Sequence, residues 1–158
     1  MEHKQLLTVF NSLPVGIGFF TADGTLVRCN ESFCRIFGAD SQTLLGNKLN
    51  INENSVVPDV VKEAVRRCVP VQMSFLYDFD KQRTDKRFFS TRTRTCYLKC
   101  NGNPLYDNDG KFVNYIFIFE DITETVKSEE VLRQSRRKTE LAMKAANIMF
   151  WEFDAVPK

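Results

Sequence analysis

The stretch that decides the fold reads Asn103-Pro104-Leu105-Tyr106-Asp107-Asn108-Asp109-Gly110, then Phe112-Val113-Asn114-Tyr115-Ile116-Phe117-Ile118-Phe119, then Asp121-Ile122-Thr123-Glu124. Asp109-Gly110 is a hairpin signal, because glycine takes the positive φ of a tight turn without steric cost. Side chains alternate along a strand, so Tyr115, Phe117 and Phe119 share one face of the next segment and Ile116 and Ile118 the other. Neither face can be left in water, which predicts a strand over 112–119 that is central or covered on both sides. Residues 121–146 hold no Gly or Pro and are rich in Glu, Lys, Arg and Gln, the composition of one long, mostly solvated helix. Asp121 as its cap with Glu124 three residues on would satisfy orphan amides and favour the positive end of that helix.

Upstream the same reading gives a mixed chain. Residues 88–104 have strand character with alternating charge, 81–87 read as a turn, and 71–80 as a strand. Pro58 suits the first turn of a helix whose Val60, Val61, Ala64, Val65 and Cys68 form one apolar stripe, ended by Pro70. Asn30 caps a short helix carrying Phe33, Ile36 and Phe37 and closed by Gly38, and Asp40 opens another ending at Gly46. A hairpin over 15–29 turns at Asp23-Gly24, and Leu6, Phe10 and Leu13 make an amphipathic first helix that stops at Pro14. The expected architecture is α+β: a five-stranded antiparallel sheet, short helices gathered on one face around a small interior, an N-terminal helix and an exit helix.

Composition narrows the chemistry. The 158 residues are 43% hydrophobic and 12% aromatic, with fourteen Phe beside four Tyr and one Trp. That is enough for one core burying roughly 70% of the unfolded surface, and it rules out disorder for most of the chain. Charge nearly cancels at +2 and points to no class of partner. No stretch reaches the ~18 apolar residues that span a bilayer, so no membrane contact and a cytoplasmic segment are expected. The single histidine is His3, which removes His-based metal sites, Ser-His-Asp and Cys-His machinery and a phosphoacceptor histidine from the folded part. The five cysteines, at 29, 34, 68, 96 and 100, include no Cys-x-x-Cys pair, so reduced packing thiols are expected rather than a disulfide framework.

The order of elements, the segment 103–110, the apolar strand and above all Asp121-Ile122-Thr123-Glu124 resemble a PAS domain, supported by Asn30-Glu31-Ser32-Phe33 and the Asp23-Gly24 turn. The resemblance covers about residues 5–125. A second one follows: residues 129–135, 141–147 and Phe150-Trp151-Glu152-Phe153-Asp154 resemble a linker and the opening strand of another PAS domain. The implied organisation is an N-terminal helix over 1–14, a PAS core over 15–120, an exit helix over 121–146 and the start of a second domain over 147–158. The resemblance implies a multi-PAS bacterial signalling protein, most often a sensor histidine kinase of a two-component phosphorelay, with downstream PAS or kinase domains as partners and no catalysis in this chain. Asp121, Ile122, Thr123 and Glu124 would then relay the signal.

Candidate pocket residues, from periodicity, are Ile36, Phe37, Val61, Val65, Leu98, Cys100, Ile116 and Ile118. The cofactor is unknown. Haem through a histidine of the long helix is argued against by the absence of one in 60–68, and a photoactive flavin adduct by Phe33-Cys34-Arg35, only a partial echo of Asn-Cys-Arg. Cys96 and Cys100 share a strand face roughly 13 Å apart by rise, too far for a disulfide or a shared metal. No metal site is expected: Asp107-Asn108-Asp109-Gly110 echoes a calcium loop but would put Leu105 and Ile116 at ligand positions. Arg83, Lys86, Arg87, Arg92, Arg94 and Lys99 lack an interleaved aromatic platform, so a solvated strand face is preferred to a nucleic-acid surface. A homodimer is expected, because Phe10, Leu13 and one face of strand 112–119 exceed what the small helices can cover. Two rival readings stand beside the sensory one: a small α+β enzyme, which would want an isolated carboxylate or Tyr in its apolar interior, and a solidly packed domain that only pairs subunits.

Overall fold

The computed structural model describes residues 2–83 and 90–154. The chain divides into two units, one ending at Ile122 and the other beginning at Thr123. In the first, the element order is α1 (Glu2–Ser12), β1 (Gly16–Phe20), β2 (Leu26–Cys29), α2 (Glu31–Phe37), α3 (Ser41–Gly46), α4 (Asp59–Arg67), β3 (Val71–Asp78), α5 (Phe79–Gln82), β4 (Thr95–Tyr106) and β5 (Phe112–Asp121). The strands form one antiparallel sheet in the order β2-β1-β5-β4-β3. β5 is its centre, paired with both β1 and β4, as its apolar sequence requires.

One face of the sheet carries the core. Phe20 of β1, Cys96, Leu98 and Cys100 of β4, and Tyr115, Phe117 and Phe119 of β5 are buried there against Phe33 and Phe37 of α2 and Val61 and Val65 of α4. Register makes room for the rings. Phe117 stands opposite Gly18 on one side and Gly102 on the other, and a Cβ on Gly102 would lie 2.4 Å from the Phe117 ring and 2.8 Å from that of Tyr115. Ile116 and Ile118, expected in the pocket, face the other way, only partly covered, across from Phe19 and Ile17 of β1. Both faces of β5 are apolar, and the choice between them follows from glycines on neighbouring strands, which periodicity along β5 does not contain.

Several boundaries differ from expectation for local reasons. β3 stops at Asp78, two residues early, because the Asp78 carboxylate accepts from the amides of Asp80 and Lys81 and so caps α5. β4 begins at Thr95, since residues 90–92 hydrogen-bond to the end of α2 instead of entering the sheet; positions 84–89, including Lys86, Arg87, Phe88 and Phe89, lie outside the described residues. On α4, Val61, Ala64 and Val65 are buried, but Val60 points into water. Phe10 packs on the Phe19 ring, with the Arg28 guanidinium over it, so the exposed apolar side chains of α1 are Leu6 and Val9.

The second unit is α6 (Thr123–Asp154), a helix with ion pairs Glu124–Lys127 and Glu130–Arg133 one turn apart. Residues 147–154, expected to open a second domain with a strand, continue this helix. No Gly or Pro interrupts 121–154, so nothing in this stretch breaks the helix.

The fit of Gly102 is testable. Gly102→Ala should lower unfolding stability by about 1–3 kcal/mol in chemical denaturation, because its methyl group drives into two buried rings. An unchanged midpoint would mean that Phe117 is not held against this glycine.

Candidate functional site

Between α2, α4 and the sheet lies a cavity of about 20 Å³, room for about one water molecule. Rings form most of its wall: Phe20, Phe33, Phe37, Phe75, Tyr77 and Phe119, with Leu49, Ile51, Val57 and Val61 completing the apolar part. Phe37 meets Phe119 and Tyr77 edge to face at 5.3 and 5.5 Å between centroids, and Phe33 lies 4.5 Å from Phe37. Such pairs contribute about 0.5–1.5 kcal/mol each beyond burial. The exposed lining is almost wholly apolar. Asn50 and Asn54 border it, and the Asn54 amide donates to the Tyr77 hydroxyl at 3.0 Å. No carboxylate lines it among the described residues.

Of the sequence candidates, Phe37 and Val61 line this cavity. Ile36, Val65, Leu98 and Cys100 belong to the surrounding core, and Ile116 and Ile118 lie on the opposite face of the sheet. Periodicity misses the rings of Phe20, Phe33, Phe75, Tyr77 and Phe119 as cavity walls, and Asn50 and Asn54 beside them. Alternation in β3 and β5 carries a signal for Phe75, Tyr77 and Phe119 as a face, but the asparagines sit in the irregular chain between α3 and α4, where periodicity is silent. Burial pushes the Cys96 and Cys100 thiols up to about 11, so both stay protonated and pack. Cys34 borders a surface depression, not the cavity.

Helix α2, which supplies Phe33 and Phe37, has seven residues and cannot hold its shape alone. It is clamped at both ends. At its start the Asn30 side-chain oxygen accepts from the amides of Phe33 (2.9 Å) and Ile17 (2.8 Å), while its amide nitrogen donates to the carbonyls of Val15 and Phe10. At its end the carbonyls a helix leaves open are taken by a distant segment. Ser90 donates to Phe37, Thr91 to Gly38 and the Arg92 guanidinium to Ile36.

Arg92 does more than close the helix. Its second nitrogen donates to the Asp121 carboxylate at 2.9 Å, and its guanidinium lies 4.9 Å over the Phe79 ring. Asp121 is therefore the last residue of β5, bound to Arg92, one position ahead of the residue that precedes α6. The pairing with Arg92 joins Asp121 to the segment that closes α2, and the amide of Ile122 still bonds to the Tyr97 carbonyl as a ladder would. Two more of the basic residues pair singly, Arg83 with Asp80 and Lys99 with Glu120.

Among the described residues no three His, Cys, Asp or Glu side chains converge as metal ligands, and no helix is long and apolar enough to cross a membrane.

Known proteins share this geometry. Residues 10–127 match a family model described as PAS fold, and the chain belongs to the PAS family, which is one of sensory domains. Among solved structures, an RNA-binding Light-Oxygen-Voltage receptor superposes with a TM-score of 0.64 at 17% identity over 89% of this chain and 39% of that one. A PAS domain from Colwellia psychrerythraea gives 0.59 at 15% over 78% and 99%, and one from a two-component sensor histidine kinase 0.56 at 14% over 76% and 96%. At these identities the likeness is one of fold. A probable diguanylate cyclase, DgcE of Escherichia coli (strain K12), is 21% identical over 143 residues, 90% of this chain; the chain spans 12% of that relative's length.

Arg92 and Asp121 separate a clamp from a simple cap at the junction. Arg92→Ala should cost about 1.5–3 kcal/mol, since it leaves the Ile36 carbonyl and Asp121 without their cation. Asp121→Ala should cost no more than about 1 kcal/mol, because the pair is partly exposed. Equal losses in urea titrations would contradict the clamp.

Proposed function

We propose that this chain is a PAS sensory and pairing module of a bacterial signalling protein, and that its ring-lined interior reports a small, mostly apolar ligand by repacking. One observation carries the reading: the cavity is enclosed by rings and aliphatic side chains, with the Asn54 amide and the Tyr77 hydroxyl bonded to each other in its wall, an apolar lining of the kind small-molecule sites have. An apolar cavity of about 150 Å³ holds benzene, so an organic ligand must displace part of the wall, and in this proposal Phe33 and Phe37 are the rings that move. Both ride on α2, whose far end is tied to Asp121 through Arg92. Ring displacement would therefore pull on Asp121, two residues ahead of the exit helix. Haem and a flavin-cysteine adduct are not part of this proposal, since Cys34 borders the outer surface and the only histidine is His3.

A histidine kinase phosphorelay is the proposed output, supported by the likeness to a PAS domain of a sensor histidine kinase; the similarity to a probable diguanylate cyclase supports a cyclase as the competing output. The proposed homodimer uses Leu6 and Val9 of α1 with Ile116 and Ile118 on the open face of β5. A second reading, a packed domain that only pairs subunits, is favoured by the small cavity volume. An enzyme is the weaker alternative, for Tyr77 has no carboxylate beside it in the cavity lining among the described residues.

Native mass spectrometry of the purified chain decides among these. The sensory reading expects a dimer that carries a small retained molecule, released on acid unfolding. A dimer of bare mass from several expression hosts supports the pairing domain, and a strict monomer at high concentration contradicts both.

A further inference from the structure

Cys29, the last residue of β2, and Cys34 in α2 bring their sulfur atoms within 3.8 Å. Asn30 caps the helix, so the two occupy the position before the cap and the fourth helical position. In many helices that pair is apolar and staples the incoming chain to the first turn. Here the staple is two free thiols. A disulfide needs its sulfurs about 2 Å apart, so closing the pair takes an approach of about 2 Å by two side chains.

We propose that Cys29 and Cys34 form a reversible disulfide site, oxidised by exchange with a low-molecular-weight disulfide, that locks α2 to the end of β2. Access is one-sided. Cys34 borders the open depression it shares with Arg35, Gly38, Asp40 and Arg92, whereas Cys29 does not line it. The Cys34 thiolate attacks one sulfur of the incoming disulfide, whose S–S bond breaks to release one thiol and leave a mixed disulfide on Cys34. The Cys29 sulfur then attacks the Cys34 sulfur and expels the second thiol. Two protein thiols are oxidised, the small disulfide is reduced to two thiols, and the two protons leave on them. The consequence reaches the interior, because α2 carries Phe33 and Phe37. Cys96 and Cys100 are buried and take no part.

The pair is slow by construction. Burial raises both thiols, Cys29 to about 12 with its neighbour's help; on Cys34 the hydrogen bond with Cys29 opposes the rise, and the charges of Asp40 and Glu31 add to it. The attacking species is the thiolate, so closure should quicken about tenfold per pH unit from pH 7 to 9.

The sequence supplies its own assay. Trypsin cuts after Arg28 and Arg35 and releases residues 29–35 with both cysteines. The full chain is incubated folded with oxidised glutathione, quenched with acid, alkylated in denaturant and digested. The expected peptide is two hydrogen masses below the dithiol form, carries no alkyl group and returns to the dithiol with reductant, while Cys96 and Cys100 are recovered alkylated. Cys29→Ser should instead trap glutathione on Cys34. Recovery of 29–35 with both cysteines alkylated, a lasting glutathione adduct on the unsubstituted chain, or pairing with Cys68, Cys96 or Cys100 overturns the proposal.

Discussion

One side chain holds the rest in place. Asn30 is 1% exposed and makes four hydrogen bonds to backbone, two accepted from Ile17 and Phe33 and two donated to Val15 and Phe10. It thereby joins the end of α1, the start of β1 and the first turn of α2 at one point. Only a carboxamide fits: aspartate would turn an oxygen toward two carbonyls, and serine lacks the reach and the two donors. Inside a protein each such bond left half-made costs about 1–3 kcal/mol, so these partners are coupled in a way none of the three elements could manage alone.

The interior depends on that knot. α2 is too short to persist by itself, yet Phe33 and Phe37 are the rings on which Phe20, Tyr77 and Phe119 close. With the start fixed by Asn30 and the end by Ser90, Thr91 and Arg92, the helix is held against the sheet by polar bonds at its tips, while the faces between are apolar and adaptable. That division suits a sensor. The tips are bonded to groups outside the core, Asp121 among them through Arg92.

Much of this is legible in the amino-acid sequence. The turn at Asp109-Gly110, the doubly apolar strand after it, the caps at Asn30 and Asp40 and the Gly-free exit helix follow from local rules, and together they define the sheet, its central strand and the family. The failures share a cause. Periodicity sets Ile116 and Ile118 on the wrong face because the deciding features, Gly18 and Gly102 beside Phe117, lie on other strands. The Arg92–Asp121 pair is invisible for the same reason, because its members lie 29 residues apart in the chain. The Cys29/Cys34 pair hides in a spacing that means nothing until Asn30 is known to cap the helix between them. Site residues depend on register and on loops, and local periodicity encodes neither.

The central claim is that the Asn30 carboxamide couples β1 to α2. Amide exchange of Asn30→Ala compared with the unsubstituted chain tests it most directly, read at the Ile17 and Phe33 amides that the carboxamide holds. Both should lose protection together, by roughly thirtyfold or more, as expected for about 2 kcal/mol of local coupling. Protection unchanged at both amides, or lost at Phe33 alone with Ile17 untouched, would contradict the account.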